Sequence, residues 1–415
     1  MANQGGPVFK FQPLPPVNFF TPTGSSTTFP TWSSPGASDV SSYLQALINQ
    51  SNSNRAYIPW WNLTESQYVS NLPAGASLAD SNKFLGGAIY NGVIYCPPFL
   101  ATDILKINTT NDTYSRFGSV AVGDKKYIGA CLAPNGMIYC APLSATAIMK
   151  INPTNDSVTY FDTTGTVAGA FSGNLSGASK YSGIYIGANG HLYIPPYDAA
   201  TSVLVINPAN DSIYYIDTTG VLPNANGDLV EAQKMDGGVC YGDFIYCSPS
   251  TATYMLKIDT TNNICYKIGS FSVGTNKWSS GALAPNGKIY FFPYSGSTIM
   301  VFNPSNDTYT EITVPYTGTI NFLGSKVMPD GYVYCIATNN SIGKMIIIDP
   351  VSNSVYYETV TLSAAAAFIG AILAPNGALY AVPYTATTIK KYVTPYLPTQ
   401  SLSVNFVQSR YMNNY

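Results

Sequence analysis

The residues that could do chemistry are few. One histidine, His191, follows directly on the Asn-Gly of a turn, and there is no second histidine to share a metal or relay a proton. A serine triad would rest on His191 alone, and no Gly-x-Ser-x-Gly elbow precedes it. His191 therefore reads as a solvated turn residue. The seven cysteines form no Cys-x-x-Cys pair, and neither His-x-x-x-His spacing nor a calcium-type acidic loop occurs. No metal and no cofactor is expected. Glycoside hydrolysis needs only two acids at a suitable separation. Most acids here sit in Asn-Asp or Asp-Thr turns. Asp228, Glu231 and Asp236 are the exception, lying with Lys234 in the insertion "NGDLVEAQKMD".

A repeat positions these residues. Aligned on the tyrosine of an (I/L/V)Y pair, seven copies carry Tyr95, Tyr139, Tyr193, Tyr246, Tyr290, Tyr334 and Tyr380. Successive copies lie about 44 residues apart, two of them stretched to just over 50, a blade-sized period. Three residues on comes Pro98, Pro142, Pro196, Pro249, Pro293 or Pro383, with Ala337 in the sixth copy. Asn-Gly precedes five of the tyrosines and Asp330-Gly331 a sixth, while the fourth copy holds Gly242-Asp243. Asn-Gly between apolar runs signals a two-residue hairpin, because a type I′ turn needs positive φ at both positions. The proline then ends the second strand. "AIMKINP" supplies a third strand, "NPTND" a turn and "SVTYFD" a fourth. The expected fold is all-β: a seven-bladed β-propeller of four-stranded antiparallel blades, with an extended N-terminal arm and a short helix.

The stretch "APNGMIYCAPLSATAIMKINPTNDSVTYFDTTG" resembles the YVTN-type repeat of surface-layer and other extracellular propellers, and "KIDTTNNICYKIGSFSVG" matches its second half most closely. The resemblance covers about residues 86–394 and implies architecture rather than a function, since propellers of this kind serve many roles. This chain departs from it in its NPxND turn and its tyrosine content.

Cys96, Cys140, Cys247 and Cys335 follow the repeat tyrosine, so they occupy equivalent sites in separate blades, usually too far apart to bridge. Cys131 and Cys140 would face each other across a two-residue Asn135-Gly136 turn. All seven read as small apolar core residues. The final blade can be closed by "SLSVNFV" near the C-terminus or by an N-terminal strand such as "RAYIPWW".

Three parts follow: residues 1–36, an arm rich in Pro, Gly and Ser; 37–85, a linker with a short amphipathic helix in "SDVSSYLQALINQ"; and 86–415, the propeller. The arm carries Phe9, Phe11, Leu14, Phe19 and Phe20 and is expected to lie against its own propeller or a neighbouring subunit.

Charged residues make up 10% of the chain and the net charge is −2, which argues against a nucleic-acid partner. No apolar run reaches the length of a membrane span, and the first residues lack the basic and apolar regions of a secretory signal. Asn-x-Ser/Thr triplets are frequent, but several fall in "NDS" and "NDT" turns that have a backbone reason to exist.

In a propeller, the loops between second and third strands share a face with the links between blades. Phe99, Leu143, Tyr181, Tyr197, Tyr294 and Tyr384 should gather there with the insertion residues Asp228, Glu231 and Lys234. Such a face suits carbohydrate or protein contact. The expected function is that of a non-enzymatic structural or attachment protein of a virus or phage particle, at the virion surface, within a larger assembly. Its arm would bind other subunits and its face surface glycans. A cell-surface or secreted layer, filament or adhesin is the alternative, and a polysaccharide hydrolase or lyase a second.

Overall fold

The computed structural model describes residues 69–161, 175, 177–198, 200, 202–218, 234–272, 274, 277–314, 322–337, 344–359 and 367–393. The expected N-terminal arm and helix, Asp228, Glu231 and "SLSVNFV" lie outside them.

Seven four-stranded antiparallel sheets follow one another along the chain. Their innermost strands are Ala88–Tyr90, Tyr127–Leu132, Tyr185–Ile186, Met235–Tyr241, Trp278–Leu283, Phe322–Val327 and Phe368–Leu373. This is the seven-bladed propeller the repeat predicts. Blade seven runs Phe368–Leu373, Leu379–Pro383, Lys390–Tyr392, and then takes Val69–Asn71 as its outermost strand, with Val69 opposite Tyr392. Closure is therefore N-terminal, through a strand that follows "RAYIPWW" within the segment read as a linker.

The first turn of each blade differs from the expected one. Only blade one makes the two-residue Asn-Gly turn, with Asn91 (φ 46°) and Gly92 (φ 77°) between the paired Tyr90 and Val93. In blade two, Gly136 donates its N–H to Ala133 O and Ala133 N–H to Met137 O, a type I turn closed by a left-handed glycine. Blades three, five, six and seven repeat this pattern. Pro134, like Pro285, Pro329 and Pro375, would flank a two-residue Asn-Gly or Asp-Gly turn, and it has no N–H to give to the ladder bond that closes such a turn. In blade three the N–H of the equivalent Ala188 goes instead to Thr260 Oγ1. The extra turn residue shifts the register by one, so Cys131 faces Tyr139 and Cys140 faces Ala130. That removes the cross-strand bridge; all seven cysteines are free and buried.

Two belts join the blades. The lower one uses the repeat tyrosine, which is buried in every blade. Its hydroxyl reaches the left-handed residue of the next blade's third-to-fourth-strand turn: Tyr139 to Asp211 (2.5 Å), Tyr193 to Asn263 (2.8 Å), Tyr290 to Asn353 (2.6 Å) and Tyr380 to Asp112 (2.6 Å). Tyr95 and Tyr246 make longer contacts of 3.4 Å to Asp156 and Asp307. In blades two, three, five and seven the turn asparagine adds a bond, as when Asn135 Nδ2 donates to Pro208 O at 2.6 Å.

Charge in this belt is matched across each seam. The third-strand residue paired with the tyrosine is Lys106, Lys150, Lys257 or Lys391 in blades one, two, four and seven. Each of these lysines binds the aspartate of the following blade, Asp156, Asp211, Asp307 or Asp112. In blades three and five the paired residue is Val205 or Val301, and the neighbouring turn offers neutral Asn263 or Asn353. A carboxylate taken from water without a partner is costly, so aspartate appears where lysine can meet it. Blade six breaks the series because Lys390–Tyr392 does not turn back into its own fourth strand. Ile347 takes the lysine position there, and Tyr334 donates instead to Asp330 of its own turn at 2.6 Å. This accounts for Asp-Gly in that one copy.

The upper belt is a chain of backbone bonds around the ring. Tyr384 N–H donates to Ala367 O, Lys83 to Tyr384, Phe99 to Lys83, Lys126 to Phe99, Leu143 to Lys126 and Lys180 to Leu143. It continues through Tyr197, Lys234, Ser250 and Lys277 to Tyr294. Each lysine also caps loop carbonyls. Lys126 Nζ donates to Leu100 O and Gly123 O, both at 3.0 Å, and Lys180 Nζ to Ala145 O (3.0 Å) and Gly177 O (2.8 Å). Lys277 reaches Ala252 O at 2.9 Å and Lys83 reaches Asp80 O at 2.6 Å. Much of the chain's sparse positive charge is thus spent inside the fold.

These lysines give stability a defined pH dependence. Burial pushes Lys83 and Lys180 down to about 8 and Lys326, in the innermost strand of blade six, down to about 7. Unfolded lysine titrates near 10.5, so across that window the unfolded chain holds more protons and stability rises with pH. The buried tyrosines act oppositely; burial, then the charge of Asp156, raises Tyr95 to about 12. Above about pH 10 the unfolded tyrosines ionise first and stability falls. Urea midpoints should therefore be higher near pH 9.5 than near pH 7, and lower again near pH 11.

Candidate binding face

The loops after the repeat prolines and the links between blades lie at one end of the ring, opposite the hairpin turns. There the start of each innermost strand meets the residue after the proline, as the upper belt shows. Leu85, just before the innermost strand of blade one, and Ile128 and Ile369, from the innermost strands of blades two and seven, pack in one cluster with Phe99, Leu143, Tyr181, Tyr197 and Tyr384. The Phe99 and Tyr384 rings sit 5.6 Å apart, tilted by 59°. On the other side of the ring the equivalents of Leu85 are polar: Ser182, Asp236 and Ser279. Ser182 Oγ donates to Asp236 Oδ1 at 2.9 Å, joining blades three and four.

Aromatic residues and carboxylate converge here. Burial, then the charge of Asp236, raises the phenols of both Tyr197 and Tyr294. Tyr384 is raised by burial and then by Tyr294 and Asp124. These phenols stay protonated at neutral pH and can donate and accept hydrogen bonds. Tyr197, Tyr294, Tyr384 and Asp236 are half-buried, so their outer surfaces meet solvent. Phe99 and Leu143 are buried beneath them.

Two more residues placed on this face by sequence lie under it. Tyr181 is 1% exposed, in an isolated bridge with Pro196. Lys234 is 2% exposed, and its ammonium donates to Asp198 O (2.5 Å) and Ala200 O (3.0 Å). Sequence reasoning placed Asp236 in an insertion; it stands instead in the innermost strand of blade four. The available signal was the recurrence of Lys-x-x-Gly about a dozen residues before the tyrosine in the first four copies, in which Asp236 stands where Leu85 and Ile128 are aliphatic.

The other reactive groups are elsewhere. His191 is in the hairpin turn at the opposite end, its Nδ1 3.0 Å from Tyr214 Oη, and burial lowers its pKa. Burial pushes the thiols of Cys96, Cys131, Cys140, Cys240, Cys247 and Cys335 well above their ordinary range. No group of three or more His, Cys, Asp or Glu residues gathers to hold a metal ion among the described residues, and none of their helices is long and apolar enough to cross a membrane.

No protein-family profile matches the chain, and no curated protein is similar to it in sequence. Solved structures resemble it in fold. A catalytically inactive histidine-to-alanine variant of virginiamycin B lyase from Staphylococcus aureus, with quinupristin, is 12% identical over 79% of this chain and 99% of its own, with a TM-score of 0.62. The extracellular domain of a hybrid two-component system from B. thetaiotaomicron is 12% identical over 80% of this chain and 43% of its own, at 0.58. YCF48 bound to D1 peptide is 9% identical over 80% and 99%, at 0.55. The expectation that the chain is not an enzyme is corrected here. Propellers of this shape include lyases, so neither the fold nor a repeat needed for scaffold argues against catalysis. The chain is a seven-bladed β-propeller, an architecture whose known examples include antibiotic lyases and extracellular domains.

Proposed function

We propose that the chain is an attachment component of a virus or phage particle, held by its N-terminal arm and presenting the mouth of the ring, the end that carries Tyr197, Tyr294 and Tyr384, to a surface glycan. The observation that carries this reading is the convergence of Tyr197, Tyr294 and Tyr384 with Asp236 over Phe99. Aromatic faces pack on the C–H faces of sugar rings, while Asp236 and the phenols exchange hydrogen bonds with sugar hydroxyls. The lysines of this end are engaged with loop carbonyls, so the mouth offers aromatic and acidic groups. The arm contributes Phe9, Phe11, Leu14, Phe19 and Phe20 as apolar anchors for a neighbouring subunit. A cell-surface or secreted location is the second reading, favoured by the likeness to extracellular domains.

A glycan array probed with the full chain tests the binding claim. A defined set of glycans should bind, and Asp236→Asn should weaken them by about tenfold, or about 1.4 kcal/mol. Absence of binding to any glycan would remove this reading. Localising the native protein to particles or to a cell envelope separates the two locations.

A further inference from the structure

Four turns at the end opposite the mouth carry an Asn-Asp-Ser/Thr triplet at one equivalent position. Asn111, Asn155, Asn210 and Asn306 begin it in blades one, two, three and five, and all four are exposed. Their Oδ1 atoms accept the backbone N–H of Thr113 (3.2 Å), Ser157 (3.0 Å), Ser212 (3.1 Å) and Thr308 (3.3 Å). The Thr113 and Thr308 hydroxyls donate to the same oxygens at 2.7 Å. The Nδ2 amides donate to nothing among the described residues and face water.

The propeller does not require the whole triplet. The seam contacts use the second residue, Asp112, Asp156, Asp211 or Asp307, and not the asparagine before it. Blade four serves the same seam through Asn263 with Ile264 in the hydroxyl position, and there Asn262 Nδ2 is engaged with Asp259. Blade six does so through Asn353, preceded by Ser352. An exposed asparagine with an unengaged amide, two residues before a hydroxyl, thus recurs where the seam does not demand it.

We propose that Asn111, Asn155, Asn210 and Asn306 are N-glycosylated, forming a sugar-bearing rim around the end of the propeller away from the mouth. The co-substrate is a glycosyl phosphate donor. Its C1–O bond breaks, a C1–Nδ2 bond forms, the phosphate leaves with the electron pair, and the amide proton passes to a base of the transferase. Glycans at this end leave the aromatic mouth uncovered.

Protein isolated from its native source should be measured by intact mass and by glycopeptide mass spectrometry. The intact mass should exceed the 44.4 kDa of the chain, with sugar on at least three of the four asparagines and none on Asn262 or Asn353. Asn155→Gln, which alters no seam contact, should remove only its own increment. An intact mass equal to the sequence, or sugar on two or fewer of these sites, would overturn the proposal.

Discussion

Gly237→Ala is expected to destabilise the protein by several kcal/mol. Gly237 adopts φ +85° at the bulge where the innermost strand of blade four slips register against its neighbour. Holding an L-residue in that conformation costs about 1–2 kcal/mol. The larger obstacle is space, because an added Cβ would sit 2.2 Å from Ser279 O, a backbone atom of blade five. Blade five would have to retreat, a rearrangement that costs about 1–3 kcal/mol more in a well-packed core. Gly324 faces the same constraint, with φ +91° and a Cβ position 2.6 Å from Ala371 N. Gly136, at a hairpin tip, also has positive φ but nothing near its Cβ position, so Gly136→Ala should cost only the conformational part. Chemical denaturation of the three variants measures the difference; equal losses at Gly237 and Gly136 would mean the innermost strands do not abut as described.

The second large effect is expected at Tyr139. Its side chain is fully buried, packs edge-on against Phe161 at 6.2 Å, and joins Asn135 and Asp211 through its hydroxyl. Tyr139→Ala removes a ring from the seam between blades two and three and should cost about 3–5 kcal/mol. Tyr139→Phe keeps the ring but leaves Asp211 with Lys150 alone, a loss of about 1–3 kcal/mol. If both substitutions changed the denaturation midpoint equally, the ring would contribute nothing and the seam would be held by its hydrogen bonds alone.

Much of this fold is legible in the sequence because a blade is a local object. Tyr, Pro and Asn-Gly recur within some ten residues, and period-two strands flank them. The hairpin type was misread for a local reason too: Pro134 has no N–H to close the ladder across a two-residue Asn-Gly turn. The seams were not legible in the same way, because their partners lie in different copies. Lys150 and Asp211 belong to consecutive blades, and only comparison across copies reveals that Lys accompanies Asp while Val205 and Val301 accompany Asn263 and Asn353. The aromatic residues of the mouth were readable from their place after the proline. Asp236 was not, since its neighbours in sequence suggest an insertion, whereas it lies in the innermost strand of blade four at that strand's bulge, where Ser182 of blade three donates to it.

Two tyrosines four residues apart separate scaffold from function most directly. Tyr290 belongs to the lower belt through Asn286 and Asn353, whereas Tyr294 stands at the mouth beside Asp236. Stability and binding to an array-identified glycan should be measured for Tyr290→Phe and Tyr294→Ala. Tyr290→Phe is expected to lower the denaturation midpoint and leave the glycan affinity unchanged. Tyr294→Ala is expected to weaken binding at least about tenfold, or about 1.4 kcal/mol, with a smaller loss of stability than Tyr139→Ala. Unchanged binding in Tyr294→Ala, in a protein that remains folded, would contradict the assignment of the mouth as the binding face.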